Sequence, residues 1–156
     1  MAESPDFLIR PAAAGESATL SALALRSKAH WGYGQWFLDH VRPHLTFTEA
    51  DLRADPVYVL AVGGQALGVY RLAGAGPEGD LEDLWLDPDL IGRGYGRRLF
   101  EHALSTARAL GFESLLIEAD PNAEGFYAAM GASRIGTRRS PSGRTLPLLR
   151  VGIGAE

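Results

Sequence analysis

The chain contains no cysteine among its 156 residues. That excludes disulfide staples, thiolate zinc and iron–sulfur sites, and any thiol nucleophile. Long hydrophobic runs are missing too. The longest unbroken apolar stretch, Val57–Val62, is far shorter than the roughly 20 residues that span a bilayer. There is no excess of positive charge, because 15 Lys and Arg stand against 19 Asp and Glu for a formal net charge of −4. A general nucleic-acid binder needs a basic face to release counterions, so that class is excluded. The opening Met-Ala-Glu-Ser-Pro-Asp is acidic and leads into no apolar segment, unlike a signal peptide. The cytoplasm is the expected location, with no membrane partner. Internal repeats and low-complexity tracts are also lacking.

What remains is ordinary globular material, 46% apolar and 22% charged. The length predicts one domain over 1–156. Such a chain buries roughly 68–70% of its unfolded surface, enough for a real core. A short strand is predicted at 7–10, closed by Pro11. Leu20, Leu23, Ser27 and Trp31 fall on one face of a helix over 16–30. Gly32-Tyr33-Gly34 breaks it, and a second helix over 35–41 ends at Pro43. Trp36 is expected in the core. Thr48 with Glu49-Ala50-Asp51 predicts a capped short turn. Strands follow at 57–62 and 66–72, joined by the hairpin pair Gly63-Gly64. A third extended run covers 81–86, before Asp87-Pro88. A helix over 94–110 ends at Gly111. After it come a strand at 114–119, a helix at 123–130, and strands at 133–139 and 146–153. This order predicts an α+β (α/β mixed-sheet) domain.

The densest signal runs from Leu84, Trp85 and Leu86 through Asp87-Pro88 to Ile91-Gly92-Arg93-Gly94-Tyr95-Gly96-Arg97-Arg98. A strand enters a loop of alternating glycines that opens a helix. Glycines let the backbone bend sharply and let an anion approach bare N–H groups. The helix start adds a dipole and unpaired donors, and three arginines add charge. The arrangement reads as a pyrophosphate cradle. It is not a Walker A loop, because no Gly-Lys-Ser/Thr follows. Nor does it have the Gly-x-Gly-x-x-Gly spacing of dinucleotide folds.

This segment resembles the acetyl-CoA signature of the Gcn5-related N-acetyltransferase (GNAT) superfamily, Gln/Arg-x-x-Gly-x-Gly/Ala. Gly94 and Gly96 match its glycines. Ile91 stands where Gln or Arg is usual, which leaves pyrophosphate to the backbone. The stretch Asp120-Pro121-Asn122-Ala123-Glu124-Gly125-Phe126-Tyr127, with Met130-Gly131-Ala132, is similar to the family's later motif. The order of elements agrees over essentially the whole chain. Ser27-Lys28-Ala29-His30-Trp31-Gly32-Tyr33 resembles an uncharacterised subgroup. The resemblance implies a GNAT-like fold, a central mixed sheet of about six or seven strands flanked by about four helices. It also implies acetyl-CoA as cosubstrate, bound by Leu84, Trp85, Leu86, Ile91, Gly92, Arg93, Gly94, Tyr95, Gly96 and Arg97. Asp120 stands where the family usually has Asn, so Asp120 and Asn122 both remain candidates for the cofactor arm. Asn122 as a helix cap is the other reading.

Without Cys an acyl-cysteine route is impossible, so direct attack of a primary amine on the thioester is expected. The resemblance puts bases on the strand where Glu82 lies. By strict alternation Glu82 shares a face with Leu84 and Leu86, with Asp83 opposite. A water-relayed proton path to Glu82 stands beside direct contact. Tyr127 matches the family tyrosine, and its hydroxyl, protonated at neutral pH, is the candidate acid for the leaving thiolate. The amides of Leu84, Trp85 and Leu86 are the expected oxyanion donors, on resemblance alone. On the acceptor side, Ser27, His30, Trp31 and Tyr33 cluster at the break between the first two helices and predict a pocket wall. His40 and His44 have a metal-like spacing, but Pro43 interrupts them and no Glu completes a motif, so no metal is expected. Arg138, Arg139 and Arg144 read as a solvated hairpin, with anionic-substrate recognition as the second reading. Strands near the C-terminus are able to pair across a homodimer. The rival function is a non-catalytic acyl-CoA-binding or sensing module, which would keep the glycine loop without needing Glu82 or Tyr127.

Overall fold

A computed structural model of the chain describes residues 6–154. β-branched and aromatic residues punctuated by glycine turns make seven strands: β1 (Phe7–Pro11), β2 (Val57–Val62), β3 (Gln65–Ala73), β4 (Glu78–Leu86), β5 (Ser114–Glu118), β6 (Ser133–Arg139) and β7 (Thr145–Gly152). Among the described residues five α-helices accompany them: α1 (Ser17–Ala29), α2 (Gln35–Leu45), α3 (Glu49–Ala54), α4 (Tyr95–Ala109) and α5 (Glu124–Ala129). The strands form one mixed sheet in the order β1-β2-β3-β4-β5-β7-β6. β1/β2, β2/β3, β5/β7 and β6/β7 pair antiparallel, whereas β4/β5 pair parallel. A parallel pair needs a long crossover, which α4 supplies.

The chain divides into two compact units. The first comprises residues up to Arg71 together with 83–100. Its core joins Leu20, Leu23 and Ala24 of α1 and Val41 and Leu45 of α2 to Val57, Val59 and Val69, with Trp85 packed against it. The α2 helix runs through Pro43 to Leu45, past the stop expected from sequence. Proline removes one backbone donor, but Val41 and Leu45 are buried on the core side, and their burial outweighs the missing bond. Thr48 makes the expected turn into a true helix. Its Oγ1 accepts from the Asp51 N–H at 3.1 Å while Asp51 accepts from the Thr48 N–H at 2.9 Å, a reciprocal cap.

The second unit comprises 72–82 and 101 onward. β4 starts at Glu78 here, earlier than expected, because its first residues are tied sideways. Glu78 accepts from Ser114 Oγ at 2.6 Å and from Arg150 Nε at 2.6 Å, linking β4 to β5 and β7. Gly79 lets the Phe112 ring lie against the strand, since a Cβ there would sit 2.8 Å from Phe112 Cε2.

Candidate active site

In the first unit, β4 delivers the chain to Asp87, whose N–H donates to the Leu67 carbonyl at 2.8 Å. Asp87 is buried. Its carboxylate accepts from the Asp89 N–H at 3.0 Å and pairs with Arg26 of α1 at 3.1 Å. A single 3₁₀ turn, Pro88–Leu90, follows, and then the glycine loop. Gly92 (φ +80°) and Gly94 (φ +86°) adopt the left-handed conformation that glycine tolerates best. A Cβ at either would meet nothing within 4 Å, so the loop presents bare backbone to open space. The Arg98 N–H closes the first turn of α4 on the Gly94 carbonyl at 3.3 Å. The N–H groups before it belong to the helix terminus, where donors lack intrahelical acceptors. Arg93 lies over the Tyr95 ring at 6.0 Å and Arg98 over the Phe7 ring at 5.0 Å, so two of the three arginines rest on aromatic faces at this end of α4. Ile91 is exposed, and Tyr95 is buried edge-on to Phe7. Gly96 is the second residue of α4, followed by Arg97 on its surface.

Along β4 the burial alternates through Gly79 and Leu81, then recurs at Leu86. Buried positions an odd number of residues apart break a strict period of two. Parity alone therefore does not put Glu82 on the face of Leu86, a correction to the alternation argument. Asp83 accepts from the Trp85 indole N–H at 3.0 Å and lies 3.8 Å from Arg71. Leu84 is half-buried. The Leu86 N–H donates to Ser27 Oγ at 3.4 Å, so one of the three expected oxyanion amides already has a protein partner.

Ser27 is buried at the inner face of α1. Trp31 does not continue that face: α1 stops at Ala29, and Trp31 is 42% exposed with its ring edge-on to His30 at 4.8 Å. Tyr33 packs on Phe37 at 4.3 Å. Trp36, expected in the core, is 79% exposed and stacks on His40 at 5.8 Å. The apolar face of α2 is carried by Leu38, Val41 and Leu45, which leaves Trp36 outside it.

In the second unit, Glu82 is exposed on β4, two residues beyond Asp80. The parallel ladder joins Glu78, Gly79 and Asp80 to Ser114, Leu115 and Leu116, and Glu82 lies beyond its end. Tyr127 is 7% exposed in the short helix α5, with its ring against Phe126 at 5.2 Å. Its carbonyl accepts from Ala132 N–H at 3.0 Å across the left-handed Gly131, a C-terminal cap that fixes the helix end. Asp120 Oδ1 accepts from both the backbone N–H and the side-chain amide of Asn122, at 2.8 and 2.9 Å. Asn122 is therefore not a helix cap. The N-cap of α5 is Ala123, without a side-chain bond. Arg144 lies 3.9 Å from Asp120, and Arg138 lies 3.2 Å from Glu118 and 4.0 Å from Asp80. These two arginines are tied to carboxylates of their own unit, while Arg139 is exposed. The Arg138 tie to β5 and β4 carried no signal in the sequence.

Residues 24–132 match the acetyltransferase (GNAT) family profile. The chain belongs to that family. It is an acyltransferase, of the N-acetyltransferase kind in general terms. Comparison with curated proteins finds no match. Among solved structures, the chain is similar to a GCN5-related N-acetyltransferase from Rhodopseudomonas palustris (TM-score 0.75, 22% identity, 96% of each chain covered). It is similar to the PaiA N-acetyltransferase of Thermoplasma acidophilum, solved in complex with coenzyme A (TM-score 0.78, 13% identity, 94% of this chain and 99% of that one). The ribosomal-protein-S18-alanine N-acetyltransferase of Escherichia coli is a third (TM-score 0.72, 16% identity, 97% and 96%). At these identities the likeness establishes the fold, which is the GNAT fold. Among the described residues no helix is long and apolar enough to cross a membrane.

Proposed function

We propose that residues 1–156 serve as one acetyltransferase domain that moves acetyl from acetyl-CoA to a primary amine by direct attack. The observation that carries this reading is the glycine loop. Gly92 and Gly94 are left-handed, open to solvent, and placed at the start of a long helix. Such a loop suits a pyrophosphate, which needs close backbone approach and a positive helix terminus. The coenzyme A in the Thermoplasma structure supports that ligand.

The chemistry then follows from the residue types. Glu82 takes the amine proton, directly or through a water. The amine nitrogen forms a bond to the thioester carbonyl carbon, and backbone amides of Leu84 and Trp85 stabilise the oxyanion. As the carbon–sulfur bond breaks, the Tyr127 hydroxyl donates its proton to the thiolate. His30, Trp31 and Tyr33 form the acceptor wall. Ser27 supports it from beneath, since its Oγ is engaged with the Leu86 amide. A sensing module would need none of the base, acid or wall, and family membership favours the enzyme.

Calorimetry with CoA tests the cradle. Gly94→Ala and Gly94→Asp both pay the cost of a left-handed non-glycine residue, roughly 1–2 kcal/mol. Only the second brings a carboxylate against the phosphates. We expect Gly94→Asp to abolish binding and Gly94→Ala to weaken it mildly. Wild-type affinity in both would sink the reading.

A further inference from the structure

A lysine in the last turn of a helix ordinarily reaches past the terminus into water, where it complements the dipole. In α1, Arg26 does this and meets Asp87. Lys28 does not, because only 5% of its surface is exposed. Its Nζ lies 5.2 Å from the Tyr33 ring centroid and 6.0 Å from that of Trp85. Burying an ammonium is costly unless it is compensated. Aromatic faces supply part of the compensation, and their attraction strengthens as water is removed.

The two rings come from separate pieces of the unit. Tyr33 belongs to the glycine-flanked break between α1 and α2, whereas Trp85 belongs to β4. Trp85 is itself oriented, through its indole N–H on Asp83. Asp83 faces Arg71, which also pairs with Asp55 at 2.8 Å. One end of the arrangement is thus anchored to the sheet. The other end has Gly32 and Gly34 on either side of Tyr33, and Gly32 is left-handed at φ +83°. Such a segment has many backbone conformations available unless something holds its one large side chain.

We infer that Lys28 is a positioning residue, whose ammonium holds Tyr33 against the Trp85 end of β4 and so fixes the acceptor wall. This rests on the acceptor reading above. It assigns Lys28 no contact with the reacting atoms.

Hydrogen exchange and kinetics test it together. Lys28→Met keeps an apolar stem of similar length and removes the charge. Lys28→Arg keeps a cation that stacks on rings. In Lys28→Met, amides of residues 30–37 should exchange about tenfold faster, the scale of losing two ring contacts. The melting temperature and CoA affinity should stay near wild type, and Lys28→Arg should restore slow exchange. With 2-phenylethylamine as the amine probe, KM for the amine should rise about tenfold in Lys28→Met, with kcat little changed. Wild-type exchange over 30–37 in Lys28→Met overturns the inference, whether or not the probe is acetylated. If that variant loses its melting transition, Lys28→Gln takes its place under the same criteria. Tyr33→Ala separates the layers. If it raises the amine KM and Lys28→Met does not, only the Lys28 inference fails. If neither moves it in an enzyme that turns the probe over, the acceptor reading fails.

Discussion

At the scale of single residues, the two proton-handling assignments make opposite demands on environment. Glu82 is exposed, as a base must be if it is to meet an amine or a water, while Tyr127 is almost wholly buried. In Glu82→Gln, turnover should fall at neutral pH and CoA affinity should hold. The deficit should narrow at high pH, where more of the amine is already free. Superimposable pH–rate profiles in mutant and wild type would exclude the role. Tyr127→Phe removes only the hydroxyl and keeps the ring on Phe126. General acid catalysis is typically worth about 10²–10⁴ in rate. The expected result is therefore a fall in kcat of that order, with the KM for acetyl-CoA unchanged. Normal turnover would return protonation of the thiolate to water. What was legible in the sequence is resemblance alone: the family places bases on the strand that carries Glu82, and Tyr127 matches the family tyrosine. The burial of Lys28 was not, since a lysine at the end of an amphipathic helix reads as solvated.

At the scale of elements, β4 carries most of the residues proposed for the site, and its placement depends on contacts remote in sequence. Arg150 and Ser114 clamp Glu78 at its start. Gly79 next to it gives the Phe112 ring its place. Gly79→Ala puts a methyl within 2.8–3.0 Å of three ring carbons of Phe112, which is itself buried. Overpacking of this kind typically costs about 1–3 kcal/mol. The urea midpoint should fall with the slope unchanged. An unshifted midpoint would show that Phe112 moves aside freely. The strand's N-terminal half begins before the extended run expected over 81–86. The clamp and the β5 ladder tie that half into the sheet. The second helix likewise runs past its expected stop, with Pro43 retained because Leu45 is buried.

At the scale of the molecule, acid sensitivity follows from how the carboxylates are held. Glu16 accepts two bonds from the Arg10 guanidinium, each 2.8 Å, and a third from the Ala13 N–H. The Arg10 hydrogen bond holds the Glu16 carboxyl below its ordinary 4.5. Arg150 does the same for Glu78, and the Gly15 N–H for Glu49. A carboxylate whose folded pKa lies below its unfolded one binds fewer protons when folded. Its stabilisation is present above the unfolded value and is lost as pH falls through the folded one. The melting temperature should thus fall below about pH 4.5. Glu16→Gln should lower it at pH 7 and flatten the decline. An equally steep decline in that variant would remove Glu16 from the account.

The sequence by itself determined the element order, the glycine loop and the family. Each is written in local signals: period-two and helical spacing, hairpin glycines, and a loop that only glycine can make. Tertiary structure decided which side chains are inside. Trp36 lies in water, Trp31 falls beyond the end of α1, Lys28 is buried between rings, and Asn122 bonds Asp120 instead of capping α5. The physical reason is that burial depends on what the rest of the chain brings to a face. The α2 face was filled by Leu38, Val41 and Leu45, which left no core position for a tryptophan. The space beneath α1 was walled by Tyr33 and Trp85, which made room for a cation there.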